Sequence, residues 1–98
     1  CAVTGYRDTR FLVASHIKPW SKANNQERLD PFNGLLLLPN LDKVFDLGYI
    51  GFEATGRIRI SQELESIETL GIHPGLIASV SSAHQGYLEY HRDFVFKR

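Results

Sequence analysis

Apolar residues in this chain come in short blocks divided by polar turns, and each block predicts a short element. Four leucines, Leu35 to Leu38, follow Asn33-Gly34, a dipeptide that readily takes positive φ. The run is too short for a helix and reads as a buried strand. Pro39 and Asn40 break it; Asn40 is a good N-cap, Leu41 to Leu47 make two helical turns, and Gly48 stands where a C′ glycine belongs. Upstream, Phe11 to Ala14 predicts a strand with Phe11, Leu12 and Val13 largely buried. It ends in Ser15-His16 and is closed by Lys18-Pro19, and Ser21 to Phe32, rich in Lys, Asn, Gln, Asp and Pro, reads as a loop.

Beyond Gly48, Tyr49 to Glu53 and Arg57 to Ile60 predict a hairpin across Ala54-Thr55-Gly56. Strict alternation turns Ile58 and Ile60 inward and Arg57 and Arg59 outward. Ser61 is expected to cap a helix from Gln62 to Leu70, with Leu64 and Ile67 inward, three glutamates outward and Gly71 at its end. Pro74-Gly75 is a turn, and Leu76 to Val80 is apolar without a clear assignment. A last helix is expected from Ser82, which has capping-box spacing with Gln85. Its stripe is His84, Tyr87, Leu88, His91, Phe94 and Val95. His91 on that stripe is read as a packed, hydrogen-bonded residue, with reach into an active site as the alternative.

A chain of 98 residues supports one small domain with a modest core. It has no apolar run of ~18 residues suited to a membrane span and no signal-peptide pattern. Its single cysteine, Cys1, excludes an internal disulfide and a four-cysteine zinc cage. The start at Cys1 and the lack of methionine suggest a trimmed piece of a longer protein, lacking an N-terminal region. Net charge is zero, with 11 basic and 11 acidic residues, so composition alone does not point to nucleic acid. The charge is uneven, however: Arg7, Arg10, Lys18, Lys22 and Arg28 outnumber Asp8 and Glu27 in the first 28 residues. One face can therefore be positive while the whole is neutral.

The oddest local feature is Asp42 and Asp46, four residues apart on one face of the short helix. Like charges at that spacing oppose the helix by roughly 0.2–0.5 kcal/mol, and Asp46 lies in the last turn, where the dipole prefers a cation. A helix this short does not sustain itself in water. A divalent cation, or a lysine or arginine from elsewhere, would reward the pair; two solvated surface acids are the bland alternative.

Strand with a histidine, polar loop, asparagine before a second strand, helix with two metal-capable carboxylates: this order resembles the HNH endonucleases, whose core is the ββα-metal fold. The likeness is carried by "SHIKPW", "RLDPFNGLLL" and "LDKVFD-G" over Cys1 to Phe52, about half the chain, and by the ending "YLEYHRDFVF". These motifs are nearest to the bacterial restriction-associated branch.

The resemblance implies an α+β domain: a ββα-metal core, then a β-hairpin and two C-terminal helices. It implies metal-dependent hydrolysis of double-stranded DNA with His16 as general base, Asn33 as its orienter, and Asp42 and Asp46 on the ion. A lone histidine is usually structural, but deprotonating a water near neutral pH suits imidazole better than a carboxylate or an amine. Asn33 is also a plausible turn residue, and both roles are compatible. Many HNH sites place Asp or His directly before the base; here Ser15 stands there, a poor ligand acting at most through water. Two hard carboxylates favour one Mg²⁺ or Mn²⁺ over zinc.

Lys18, Trp20, Arg28, Lys43 and Arg92 are the candidate DNA contacts. For Trp20 a place in the core is the competing reading, and for Arg28 pairing with Glu27 or Asp30. Expected surroundings are the cytoplasm, no membrane, a homodimer as one arrangement, and a missing N-terminal region or partner for sequence recognition. The contrasting functions are a catalytically inactive nucleic-acid-binding module of the same fold and a protein-interaction domain.

Overall fold

Strands β1 (Val13–His16) and β2 (Gly34–Leu37) pair antiparallel, with Val13 opposite Leu37 and His16 opposite Gly34. Side chains alternate between the two faces. Ser15 and Leu35 therefore meet on the buried face, and Ala14 and Leu36 on the exposed one. Helix α2 (Pro39–Asp46) covers the inner face with Leu41, Val44 and Phe45, the spacing of one helical stripe. The computed structural model describes all 98 residues and joins this ββα unit to a second hairpin and a C-terminal helix.

Local chemistry sets the element ends. Pro39 occupies the first turn of α2, where its fixed φ suits the helix and its missing N–H costs nothing. The helix thus starts earlier than an Asn40 cap would allow, and Asn40 instead donates from Nδ2 to the Leu70 carbonyl at 2.6 Å. Gly48 terminates the helix at φ +85, and a Cβ there would lie 2.1 Å from the Val95 carbonyl oxygen. Thr9–Phe11 is a 3₁₀ turn capped by Asp8, so β1 begins at Val13 and Phe11 is 52% exposed rather than buried. The polar loop contains helix α1 (Asn25–Leu29), opened by a capping box between Asn24 and Glu27.

The second hairpin forms as expected from β3 (Ile50–Phe52) and β4 (Ile58–Ile60), with Gly51 opposite Arg59. Gly56 allows close approach of the next segment; a Cβ there would come within 2.1 Å of the Ala78 carbonyl oxygen. That segment is part of Leu76 to Val80. Ile58 N–H donates to Leu76 O at 3.0 Å and Ala78 N–H to Gly56 O at 2.7 Å, so it runs beside β4.

The helix expected over Gln62 to Leu70 does not form. Ser66 at φ 54 interrupts the chain, leaving one turn before it, closed by Leu64 N–H to Ser61 O, and a second after it that ends with Gly71 N–H to Glu68 O and Ile72 N–H to Ile67 O. A short helix gains little on its own, and Leu64, Ile67 and Leu70 all reach the core without it. One of the two helices expected after the hairpin is therefore present, α3 (Gln85–Phe94), introduced by a 3₁₀ turn over Ser82–His84. Its opening contact is Ser81 N–H to His84 Nδ1 at 2.9 Å, one residue before the expected Ser82–Gln85 pairing. Leu88 and His91 are buried, but Phe94 is 74% exposed and leans on Tyr90 at the surface.

One core, centred on Ile17, Leu37, Leu41, Phe45, Ile50, Phe52 and Leu88, spans both hairpins and the helices. The N-terminal segment bridges them: Ala2 N–H donates to Leu36 O, and Ser79 N–H to Ala2 O, both at 2.8 Å. No helix is long and apolar enough to cross a membrane.

Candidate active site

Strand alternation sends His16 to the face opposite Ser15. His16 ends β1, is half-buried, and meets the Trp20 indole edge to face at 5.5 Å between ring centres. Pro19 turns the chain so that Trp20 opens a 3₁₀ turn (Trp20–Lys22) beside the histidine. Trp20 is 55% exposed, which corrects its reading as a core residue. Arg28 lies 4.7 Å over the indole and donates from Nε to the Trp20 carbonyl at 3.0 Å. Arg28 therefore pairs with neither Glu27 nor Asp30.

Both of those acids have other work. Glu27 binds Lys18 Nζ at 2.9 and 3.1 Å and accepts from Asn24 N–H, and these bonds hold its carboxyl below the usual range, the Asn24 bond most. Lys18 also lies 4.9 Å over the Tyr90 ring, so this expected phosphate contact is already neutralised inside the domain. Asp30 accepts from Phe32 N–H at 2.9 Å and from the Tyr87 hydroxyl at 2.6 Å. That contact lowers the Asp30 pKa and pushes the Tyr87 hydroxyl up to about 12. The roles of Glu27, Asp30 and Tyr87 escape a motif search, although the Asn24-x-x-Glu27 spacing is itself a legible helix start.

Asn33 is 1% exposed and fully satisfied. Its Oδ1 accepts from Lys18 N–H at 2.7 Å, and its Nδ2 donates to the Lys18 and Glu27 carbonyls at 3.3 and 3.2 Å. Its own carbonyl accepts from Ile17 N–H at 3.3 Å. Asn33 thus clamps the two residues after His16 without touching the imidazole.

Asp42 and Asp46 share a face of α2 and accept no side-chain hydrogen bond. The four ion pairs of the chain leave both out, so no internal lysine or arginine rewards them. The Ser15 hydroxyl, buried at 3% exposure, has no hydrogen-bond partner. No three His, Cys, Asp or Glu side chains converge into a closed cage. Asp42 and Asp46 are thus two carboxylates without an internal cation, and carboxylate oxygens are the donors that hard divalent cations take, with water and phosphate filling the other positions.

His91 does not complete this set. It stacks on Phe45 with 4.0 Å between ring centres and is bonded through Nε2 to the Phe45 carbonyl at 2.9 Å. Burial pushes its pKa down, against the upward pulls of that carbonyl and of Asp46. It is the packed histidine of the simpler reading. Arg92 donates to the Phe52 carbonyl at 2.9 Å and so ties α3 to β3. Lys43 is exposed on α2 and enters no ion pair. Of the expected DNA contacts, Trp20 and Lys43 are exposed, whereas Lys18, Arg28 and Arg92 each have a partner inside the domain.

None of the curated proteins compared with the chain matches it. A family model described as HNH endonuclease matches residues 1–53, the span that holds β1, α1, β2 and α2 with His16, Asn33 and both aspartates. Because that match covers more than half of the chain and coincides with an antiparallel strand pair closed by a helix, the protein belongs to the HNH endonuclease family and has its ββα-metal fold.

Proposed function

We propose that this domain is a metal-dependent DNA endonuclease of restriction type in which His16 acts as general base. The observation supporting this most directly is the Asn33 clamp, which fixes the main chain after His16 while leaving the imidazole partly exposed at a strand end. A base must be held within reach of its water and yet accessible to substrate. His16 takes the proton of the attacking water; Asn33 positions the turn that carries it; Lys43 meets a backbone phosphate. Asp42 and Asp46 would hold one Mg²⁺ or Mn²⁺, with Ser15 reaching it at most through a bridging water. The ion, when bound, offsets charge on the phosphate and on the departing 3′ oxygen. The products carry 5′-phosphate and 3′-hydroxyl ends. Cleavage takes place in the cytoplasm on double-stranded DNA, with sequence recognition from a further region or a partner and a homodimer as the arrangement that cuts both strands.

The test is nicking of supercoiled plasmid with and without Mg²⁺ or Mn²⁺, wild type beside His16→Ala. Metal-dependent nicking that the substitution abolishes supports the reading, and a fully active variant removes His16 from it. One observation favours a second reading: no three His, Cys, Asp or Glu side chains come together as a ready-made ion site. A binding module without catalysis predicts DNA binding and no nicking.

A further inference from the structure

Trp20 is the one large aromatic side chain that touches His16 and still faces solvent. Exposing an indole forfeits burial worth more than almost any other side chain could provide, so a ligand that covers it is the natural compensation. The ring is also held in place. Pro19 sets the turn before it, Arg28 Nε bonds its carbonyl at 3.0 Å, and the Arg28 guanidinium stacks 4.7 Å from the ring centre. Arg28 is kept there by α1, whose Asn24–Glu27 capping box fixes the helix start. A rigid aromatic with a cation against it fits a nucleobase, because bases stack on aromatic faces and guanidinium planes.

We propose that Trp20, backed by Arg28, is a stacking platform for one base flanking the scissile phosphate, and that the site engages DNA with that base unstacked from its neighbours. The proposal rests on the reading of His16 as the reacting centre only for its location; the stacking itself is independent of catalysis. A base inside an intact duplex has both faces covered by its neighbours. The platform therefore favours single-stranded, mismatched or locally opened DNA over a perfect duplex. Arg28 is a positioning residue in this scheme, and Trp20 the contact.

Trp20 is the only tryptophan in the chain, so its fluorescence reports the contact without a label. The full chain, in chelator so that nothing is cleaved, is titrated with an oligodeoxythymidylate and with an oligomer of equal length whose units are abasic. The phosphate charges are the same in both. Quenching by the first and little by the second is the expected result. Trp20→Ala should weaken binding of the thymidylate, followed by anisotropy, roughly 5- to 150-fold, the range that one stacked base supplies. Trp20→Phe should restore much of it. Equal quenching by both oligomers, no quenching by either, or unchanged affinity in Trp20→Ala overturns the platform. Quenching by thymidylate in a protein that nicks no plasmid leaves the platform standing and defeats the nuclease reading; nicking with unchanged Trp20→Ala affinity does the reverse.

Discussion

Asn33 and Lys18, fifteen residues apart, hold each other twice: Asn33 Oδ1 accepts from Lys18 N–H at 2.7 Å, and Asn33 Nδ2 donates to Lys18 O at 3.3 Å. The asparagine thereby closes the polar loop on itself and sets where β1 ends, two residues before Lys18. The position of His16 depends on this buried amide through the main chain, not through a contact with the ring.

Asn33→Ala would leave the part-buried Lys18 N–H and carbonyl without their Asn33 partners, and the Glu27 carbonyl with the Asp30 N–H alone. Each lost bond of this kind costs about 1–3 kcal/mol, so stability should fall by at least that much and nicking with it. Urea unfolding followed by Trp20 fluorescence measures the first. An unchanged midpoint would show that the loop does not need the clamp.

At Asp42 and Asp46, stability and metal binding should pull in opposite directions. Without metal, Asp46→Asn relieves a like charge four residues away and a poor match to the helix dipole, a gain of about 0.5–1 kcal/mol. With Mn²⁺, calorimetry should show weaker binding in Asp42→Asn and Asp46→Asn alike. Wild-type affinity in both variants would place the ion elsewhere.

Ser15 lies on the core side of β1, so Ser15→Asp puts a carboxylate among Leu35 and its neighbours. The variant should be less stable than wild type in chelator, since a buried unpaired charge is costly, and should regain stability in Mn²⁺ if the position faces the ion. Thermal melts with and without Mn²⁺ decide; a deficit that metal leaves untouched would separate Ser15 from the metal site. Ser15→Ala, which deletes an unsatisfied hydroxyl, should be neutral or stabilising by up to about 1 kcal/mol.

His91 links stability to pH. Burial holds its folded pKa below the ordinary 6.5, so between the two values the unfolded chain binds more protons than the folded one. Stability from this residue is complete above about pH 6.5 and is lost as pH falls below it toward the folded value. Asp46, Arg92, the Phe45 carbonyl and Gly51 surround the ring. His91→Phe should flatten the slope of unfolding free energy between neutral and mildly acidic pH. An identical slope in the variant would assign the loss to other groups.

Much of the N-terminal half was legible because its signals are local. The leucine run and Gly48 each act through a few neighbouring residues, and the strand and helix end they predict are present with small shifts. The positive-φ turn expected at Asn33-Gly34 is not there: Asn33 is taken up by its bonds to Lys18 and Glu27, Gly34 opens β2, and the chain turns at Pro31-Phe32 instead. Where Pro39 and Asn40 competed to start α2, the fixed φ of proline prevailed. The helix expected over Gln62 to Leu70 failed because a favourable local pattern met a core that takes Leu64, Ile67 and Leu70 from a turned chain.

Periodicity and turn residues are properties of short segments, so they were enough to predict the ββα unit, the second hairpin and the last helix. Partnership among side chains was decided only by tertiary structure. Glu27 took Lys18, Tyr87 took Asp30 and Phe52 took Arg92, contacts as much as 57 residues apart, whereas Trp20 stayed at the surface under Arg28. A charge or ring in the sequence offers several partners of nearly equal strength, and only the packing of the core determines which one comes within reach.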